Sequence, residues 1–187
     1  MVEADAFPAA LAETLAGLLP ALSTGQLHAP SVPFDVHQDG RLLRIPMRTY
    51  YHREQLLACT LLAGDAGVIA LCLGTRHHDG HLREACVRQL LLQERAWTVP
   101  FVVHLCGEYV LEIVQRIEAV LGAWNGEALA RYLRENPAYV ATLERRAVSY
   151  WNCYYRRRFP EWEDYPGCRA MAALRALQAR TPRSSAS

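Results

Sequence analysis

Residues 74–116 read GTRHHDGHLREACVRQLLLQERAWTVPFVVHLCGEYVLEIVQR. Two helical patterns follow one another here. In the first, Leu82, Cys86, Gln89 and Leu90 recur at helical spacing and line one stripe, while Arg83, Glu84 and Arg88 fall off it. Asp79 stands at the cap position, where a short acceptor side chain meets amides that the first turn leaves unpaired. In the second, Thr98 caps a long helix reaching about Leu121. Pro100 is tolerated in its first turn, because an N–H there would have no intrahelical partner anyway. Two amphipathic helices in succession, with no βαβ alternation around them, argue for stacked helices and an all-α fold.

The flanks extend this pattern. Upstream, a helix over 52–63 is expected, with Leu56, Leu57, Thr60 and Leu61 inward. Gly64-Asp65 breaks it, Asp65 caps an apolar helix to about Leu73, and Gly74 stops that helix. Downstream, Asn125 caps a short helix through Arg134. Asn136-Pro137 then opens a helix to about Arg157, with Val140, Leu143, Ala147, Tyr150, Trp151 and Tyr154 along one side. The loop FPEWEDYPG follows, then a last helix over 168–179. At the start of the chain, Phe7, Leu11, Leu15, Leu18 and Leu22 line one face of a helix over 4–22, with Asp5 as cap and Pro8 in the first turn. Pro30, Pro33 and Pro46 exclude a helix through 23–49. Within that stretch VHQDGRLLRI carries Asp39-Gly40 between short runs, the signature of a type I′ hairpin. The expectation is about eight helices in stacked antiparallel pairs, HEAT-like or an irregular bundle, with one short β-hairpin near 34–46. Its parts are an N-terminal helix with a Pro-rich connector (1–50), a helical domain (51–180) and a disordered tail (181–187).

The segment DGHLREACVRQLL resembles the second half of a HEAT-like repeat, in which an aspartate precedes an arginine and small and aliphatic positions follow at helical spacing. The resemblance covers residues 52–121 and implies paired helices. No sequence period runs through the whole chain, and residues 126–180 depart from the pattern.

Composition narrows the function classes. A net charge of +1 gives no global field to draw in nucleic acid or an anionic membrane. All 20 basic residues are arginine, a chain-wide bias that fits the codon usage of a GC-rich bacterium better than selection at one site. The six cysteines, 59, 72, 86, 106, 153 and 168, form no CxxC pair and sit mostly on apolar helical stripes. Buried reduced thiols, and hence a reducing compartment, are expected. The opening MVEADAF carries acid where a signal peptide needs base, so a cytoplasmic location is expected and a membrane is not.

Three clusters could carry chemistry. His77, His78, Asp79 and His81, joined by His104 and Glu108 from the following helix, are imidazole and carboxylate groups that suit zinc, iron or manganese. HHDGH matches no defined ligand spacing, however, and Asp79 already has a capping role. Glu108, Glu112 and Arg116 stand four apart, which reads as an ion-pair stripe on one helix, or as Glu108 reaching Arg76 or Arg83. Residues 145–158 mix aromatics with arginines, a pattern that stacks on bases and clamps phosphates. Half of such a helix must nonetheless face a core, and the aromatics supply that half.

The favoured reading is a non-enzymatic helical protein that binds or scaffolds another protein, with Arg76, His77, His78, Arg83, Glu108 and Tyr109 as contacts and no cofactor. The first alternative is a metal-dependent enzyme using zinc, iron or manganese at the histidine cluster. The second is nucleic-acid binding through 145–158.

Overall fold

The computed structural model describes residues 2–23 and 32–180. Residues 24–31, with Pro30, and the tail expected at 181–187 lie outside the described residues. Those described are mostly helical: nine α-helices and one two-stranded antiparallel sheet. Among them no helix is long and apolar enough to cross a membrane. The chain divides into two compact units, 1–102 and 103–187, and not at residue 50. The reason lies in the N-terminal segment, which is built into the core of the first unit.

In that first unit the opening helix is broken. Short 3-10 turns at Val2–Ala6, Ala9–Leu11 and Leu19–Ala21 flank α1 (Ala12–Leu18). Pro8 is extended at φ −56°, ψ 144° and ends one segment before the next begins, and Pro20 opens the last 3-10 turn. The expected apolar stripe survives: Phe7, Leu11, Leu15, Leu18 and Leu22 are all buried. Phe7 stacks on Phe101 at 5.1 Å and meets Trp97 edge-on at 5.9 Å. The Tyr51 hydroxyl donates to Glu3 at 2.8 Å, further tying the chain start to the helical region.

Strands β1 (Pro33–Gln38) and β2 (Arg41–Pro46) pair as expected, with Phe34 opposite Ile45 and Val36 opposite Leu43 on the buried face. Both turn residues, Asp39 (φ 52°) and Gly40 (φ 73°), are left-handed, as a type I′ turn requires. Helix α2 (Arg53–Thr60) stops short of residue 63, so Leu61 falls in a turn and is 86% exposed, and Cys59 takes the inward position instead. Gly64, not Asp65, is the cap residue of α3 (Asp65–Gly74), at φ 68°. Asp65 is already helical, and its carboxylate accepts from Arg95 at 3.2 Å. Every residue of α3 from Gly67 onward is buried. Gly74 ends α3 within the helix, where its role is clearance: a Cβ there would lie 2.3 Å from the Cys86 sulfur of α4 (Gly80–Leu90).

The long helix expected from Thr98 to Leu121 is two. Helix α5 (Val99–Leu105) ends before Cys106 and Gly107, and α6 (Leu111–Val120) starts afresh. Gly107 lies against Leu143, where an added Cβ would sit 3.1 Å from both the Leu143 side chain and its carbonyl oxygen. The second unit continues with α7 (Gly126–Glu135), α8 (Pro137–Tyr150) and α9 (Pro166–Arg180). Helix α9 packs on α6, α7 and α8. Asn125 is left-handed (φ 46°) and its side chain does not cap α7. Asn136 precedes Pro137 as expected, but its amide donates back to the Tyr132 carbonyl at 2.8 Å and closes α7 instead of capping α8.

None of the six cysteines is in a disulfide; four are buried, Cys168 is half-buried and Cys153 is exposed. Burial pushes the Cys86 and Cys106 thiols up to about 12, which keeps them protonated and unreactive.

Candidate functional site

The histidine cluster forms a brace in the first unit. After α3 the chain turns at Thr75–Asp79 and pairs with Thr49: Thr49 N donates to the Arg76 carbonyl at 2.9 Å and His78 N to the Thr49 carbonyl at 3.0 Å. Arg83, fully buried, reaches back from α4 and donates to the carbonyls of His77 and His78, both at 2.9 Å. Arg76, also fully buried, donates to the Met47 carbonyl at 3.0 Å. Planar guanidinium groups suit this task, since several fixed donors meet several loop carbonyls. The expectation that Arg83 lies off the buried stripe is therefore corrected. Its side chain satisfies backbone groups that burial would otherwise strand.

Asp79 accepts from His81 N at 2.9 Å and Leu82 N at 3.4 Å, the expected cap, and pairs with Arg53 at 2.6 Å. Burial pushes its carboxyl up. The two amides and Arg53 outweigh that and hold it below the usual range. Its stabilisation is thus present above about pH 4, the ordinary carboxylate range, and is lost as pH falls through the lowered folded value. Asp79→Ala is expected to cost about 0.5–2 kcal/mol, the usual loss for a removed cap, as read by chemical denaturation at neutral pH.

His77 is buried, contrary to the surface position that a contact residue needs. Its Nδ1 accepts from the Asp79 amide at 3.1 Å, so the proton sits on Nε2, which donates to the Tyr51 carbonyl at 2.9 Å. Only the neutral ring makes both bonds. Burial lowers its pKa, with His78 and Arg53 adding to the effect against the Tyr51 carbonyl and Asp79. A histidine depressed in the folded state contributes stability that is full above about pH 6.5 and is lost as pH falls toward the folded value. The melting temperature is expected to fall as pH drops from 7 through that window, with a smaller slope in His77→Gln. Parallel slopes in the two proteins would refute the assignment.

His78 and His81 are exposed, and His78 stacks on Tyr50 at 5.2 Å between ring centroids. Among the described residues no three His, Cys, Asp or Glu side chains gather to hold a metal ion. In the second unit, His104 is buried and its Nδ1 pairs with the Tyr139 hydroxyl. Glu108, also buried, lies between α5 and α6 and accepts from Tyr109 N at 2.9 Å. It is therefore not on one helical stripe with Glu112 and Arg116, both of which are exposed on α6. Of the six expected contact residues, Arg76, His77, Arg83 and Glu108 are interior; only His78 and Tyr109 reach the surface.

The prominent exposed side chains of the second unit stand where α8 gives way to a π turn at Trp151–Tyr155, closed by Arg156 N donating to the Trp151 carbonyl at 2.8 Å. One extra residue in a turn rotates all that follows by roughly 100°, one part in 3.6 of a circle. Tyr154 thereby leaves the buried stripe expected for it and is 67% exposed. Tyr109, 43% exposed, meets Tyr150 edge-on at 5.9 Å, and Tyr150 meets Tyr154 at 6.3 Å. Tyr155 anchors the row, its hydroxyl donating to the Tyr109 carbonyl at 2.5 Å and its ring stacking on buried Tyr165 at 5.5 Å. Arg156 lies over Trp151 at 5.4 Å and Arg158 over Phe159 at 5.5 Å. Trp151 Nε1 donates to the Phe159 carbonyl at 2.8 Å and holds the turn closed.

Sequence reasoning found Tyr109 and the aromatic-arginine run separately but did not join them. No residue type announces a π turn, so the placement of Tyr154 was hidden. No protein-family model matches the chain, and no similar curated protein or solved structure was found.

Proposed function

We propose that this protein is a non-enzymatic helical module that binds another protein through the ridge of Tyr109, Tyr150 and Tyr154, with Arg156–Arg158 at its edge. The observation that carries the reading is the exposure of Tyr154 beside Tyr109 in a row of touching rings whose inner end is anchored. Tyrosine and arginine are enriched among the residues that dominate protein interfaces, where each offers a large contact area and a polar handle. A side chain pre-positioned by buried neighbours loses less freedom on binding than a free one. The reading of α3 and α4 as a HEAT-like helix pair belongs to this proposal. It draws support from Asp79 capping α4 and Arg83 reaching back into the same turn.

Selection of displayed random peptides on the intact protein tests the reading. Tyr109→Ala and Tyr154→Ala are each expected to weaken selected peptides by about tenfold, the scale of a moderate interface residue. Leu61→Ala, at an exposed apolar position of the other unit, serves as control and is expected to leave them unchanged. Binding indifferent to both tyrosines would remove the ridge. Stoichiometric zinc, iron or manganese that survives dialysis would favour the enzyme alternative.

A further inference from the structure

The arginines beside the ridge specify what kind of partner fits it. Residues 145–169 hold six arginines and three acids in a chain whose net charge is +1, so positive charge is concentrated locally. Arg156, Arg157 and Arg158 are all exposed. Among the described residues no carboxylate forms an ion pair with any of them, even though Glu161, Glu163 and Asp164 follow closely in the chain. Arg156 and Arg158 lie over aromatic rings, at 5.4 and 5.5 Å from guanidinium carbon to ring centroid, and both stay exposed. An exposed guanidinium suits a carboxylate, which it meets with two parallel hydrogen bonds.

We infer that the ridge takes an acidic segment of another protein, with carboxylates on Arg157 and Arg158 and an apolar side chain against Tyr109 and Tyr154. The inference rests on the binding reading above. Recognition of acidic motifs by clustered arginines beside an apolar anchor is a recurrent mode of peptide binding. A nucleic-acid strand offers stacking and negative charge too, but it carries a phosphate at every residue. Glu161, Glu163 and Asp164, exposed and close to the arginines in the chain, work against so dense a charge, whereas a peptide places one or two carboxylates at the arginines and neutral residues elsewhere.

The peptides selected on the intact protein, labelled with fluorescein, provide the test. They are expected to carry two or more Asp or Glu residues with an aromatic or aliphatic anchor. The double variant Arg157→Glu/Arg158→Glu should weaken them by about tenfold or more, and Arg157→Gln/Arg158→Gln by less, since reversal adds repulsion to lost attraction. Raising the salt to about 0.5 M should weaken them several-fold, because rim charges are screened. Neutral or basic peptides that still depend on Tyr154 would overturn the acidic inference and leave the binding reading standing. Peptides indifferent to both the tyrosines and the arginines would overturn both. Tighter binding of a labelled oligothymidine than of any acidic peptide, lost in the arginine variants, would also overturn the inference and put nucleic acid in its place.

Discussion

Replacing Gly67 by alanine is expected to destabilise the protein by about 3 kcal/mol or more, although alanine is the better helix former by about 1 kcal/mol. Gly67 lies in the first turns of α3, whose axis runs through the core of the first unit. A Cβ there would lie 2.1 Å from the Leu62 carbonyl oxygen and 3.2 Å from the Thr60 carbonyl oxygen. Both are backbone atoms in the turn that folds α2 back onto α3. They cannot swing aside as a side chain does, so the turn itself would have to open. Gly74→Ala provides the contrast. There the obstacle is the Cys86 sulfur, at 2.3 Å, and a side chain can be removed. Pairing Gly74→Ala with Cys86→Ala should recover part of its loss, as contacting residues couple in a double-mutant cycle. No side-chain deletion should rescue Gly67→Ala. Urea midpoints of the parent, Gly67→Ala, Gly74→Ala, Cys86→Ala and the Gly74→Ala/Cys86→Ala double variant decide it, and a Gly67→Ala variant as stable as the parent would refute the account.

That contrast shows how much of the fold was legible in the sequence. Local signals were read correctly: Asp79 as a cap, Asp39-Gly40 as a left-handed turn, and the stripe from Phe7 to Leu22 as buried. Each depends on one residue and its immediate neighbours. What failed depends on how the chain packs and turns, which no single residue type announces. The pattern from Thr98 to Leu121 is periodic throughout, yet the helix breaks at Gly107, where Leu143 of α8 presses on the backbone. Arg83 has the composition of a surface residue, and its burial follows from loop carbonyls five and six positions before it. Four of six expected contacts are interior for a related reason: polar side chains look like surface residues until their backbone partners are known. A constant 3.6-residue period puts Tyr154 on the stripe, but the turn at Trp151–Tyr155 has a longer period.

Tyr165 provides a second large effect, one in which two substitutions at the same site should move stability in opposite directions. Its ring is fully buried and touches Tyr155, Phe159 and Trp162 at centroid distances of 5.5, 5.9 and 5.7 Å. It therefore joins the 3-10 turn Trp162–Asp164 to the π turn and supports the anchor of the tyrosine row. Truncation to alanine removes those contacts and is expected to cost about 3–5 kcal/mol, as for a large aromatic lost from a core. The hydroxyl is a different matter. It is buried and finds no hydrogen-bond partner among the described residues, and burial pushes its pKa well up. An unmet buried hydroxyl carries a desolvation cost on the order of 1–3 kcal/mol. Tyr165→Phe keeps the ring, removes that cost and is expected to raise stability by about 1 kcal/mol. Thermal melts and urea titrations of both variants check this. Because Tyr155 hangs on Tyr165, the alanine variant should also weaken peptide binding at the ridge, while the phenylalanine variant should bind as the parent does. A destabilised Tyr165→Phe would mean that the hydroxyl has a partner, and an undiminished ridge in Tyr165→Ala would mean that the exposed tyrosines hold their places without it.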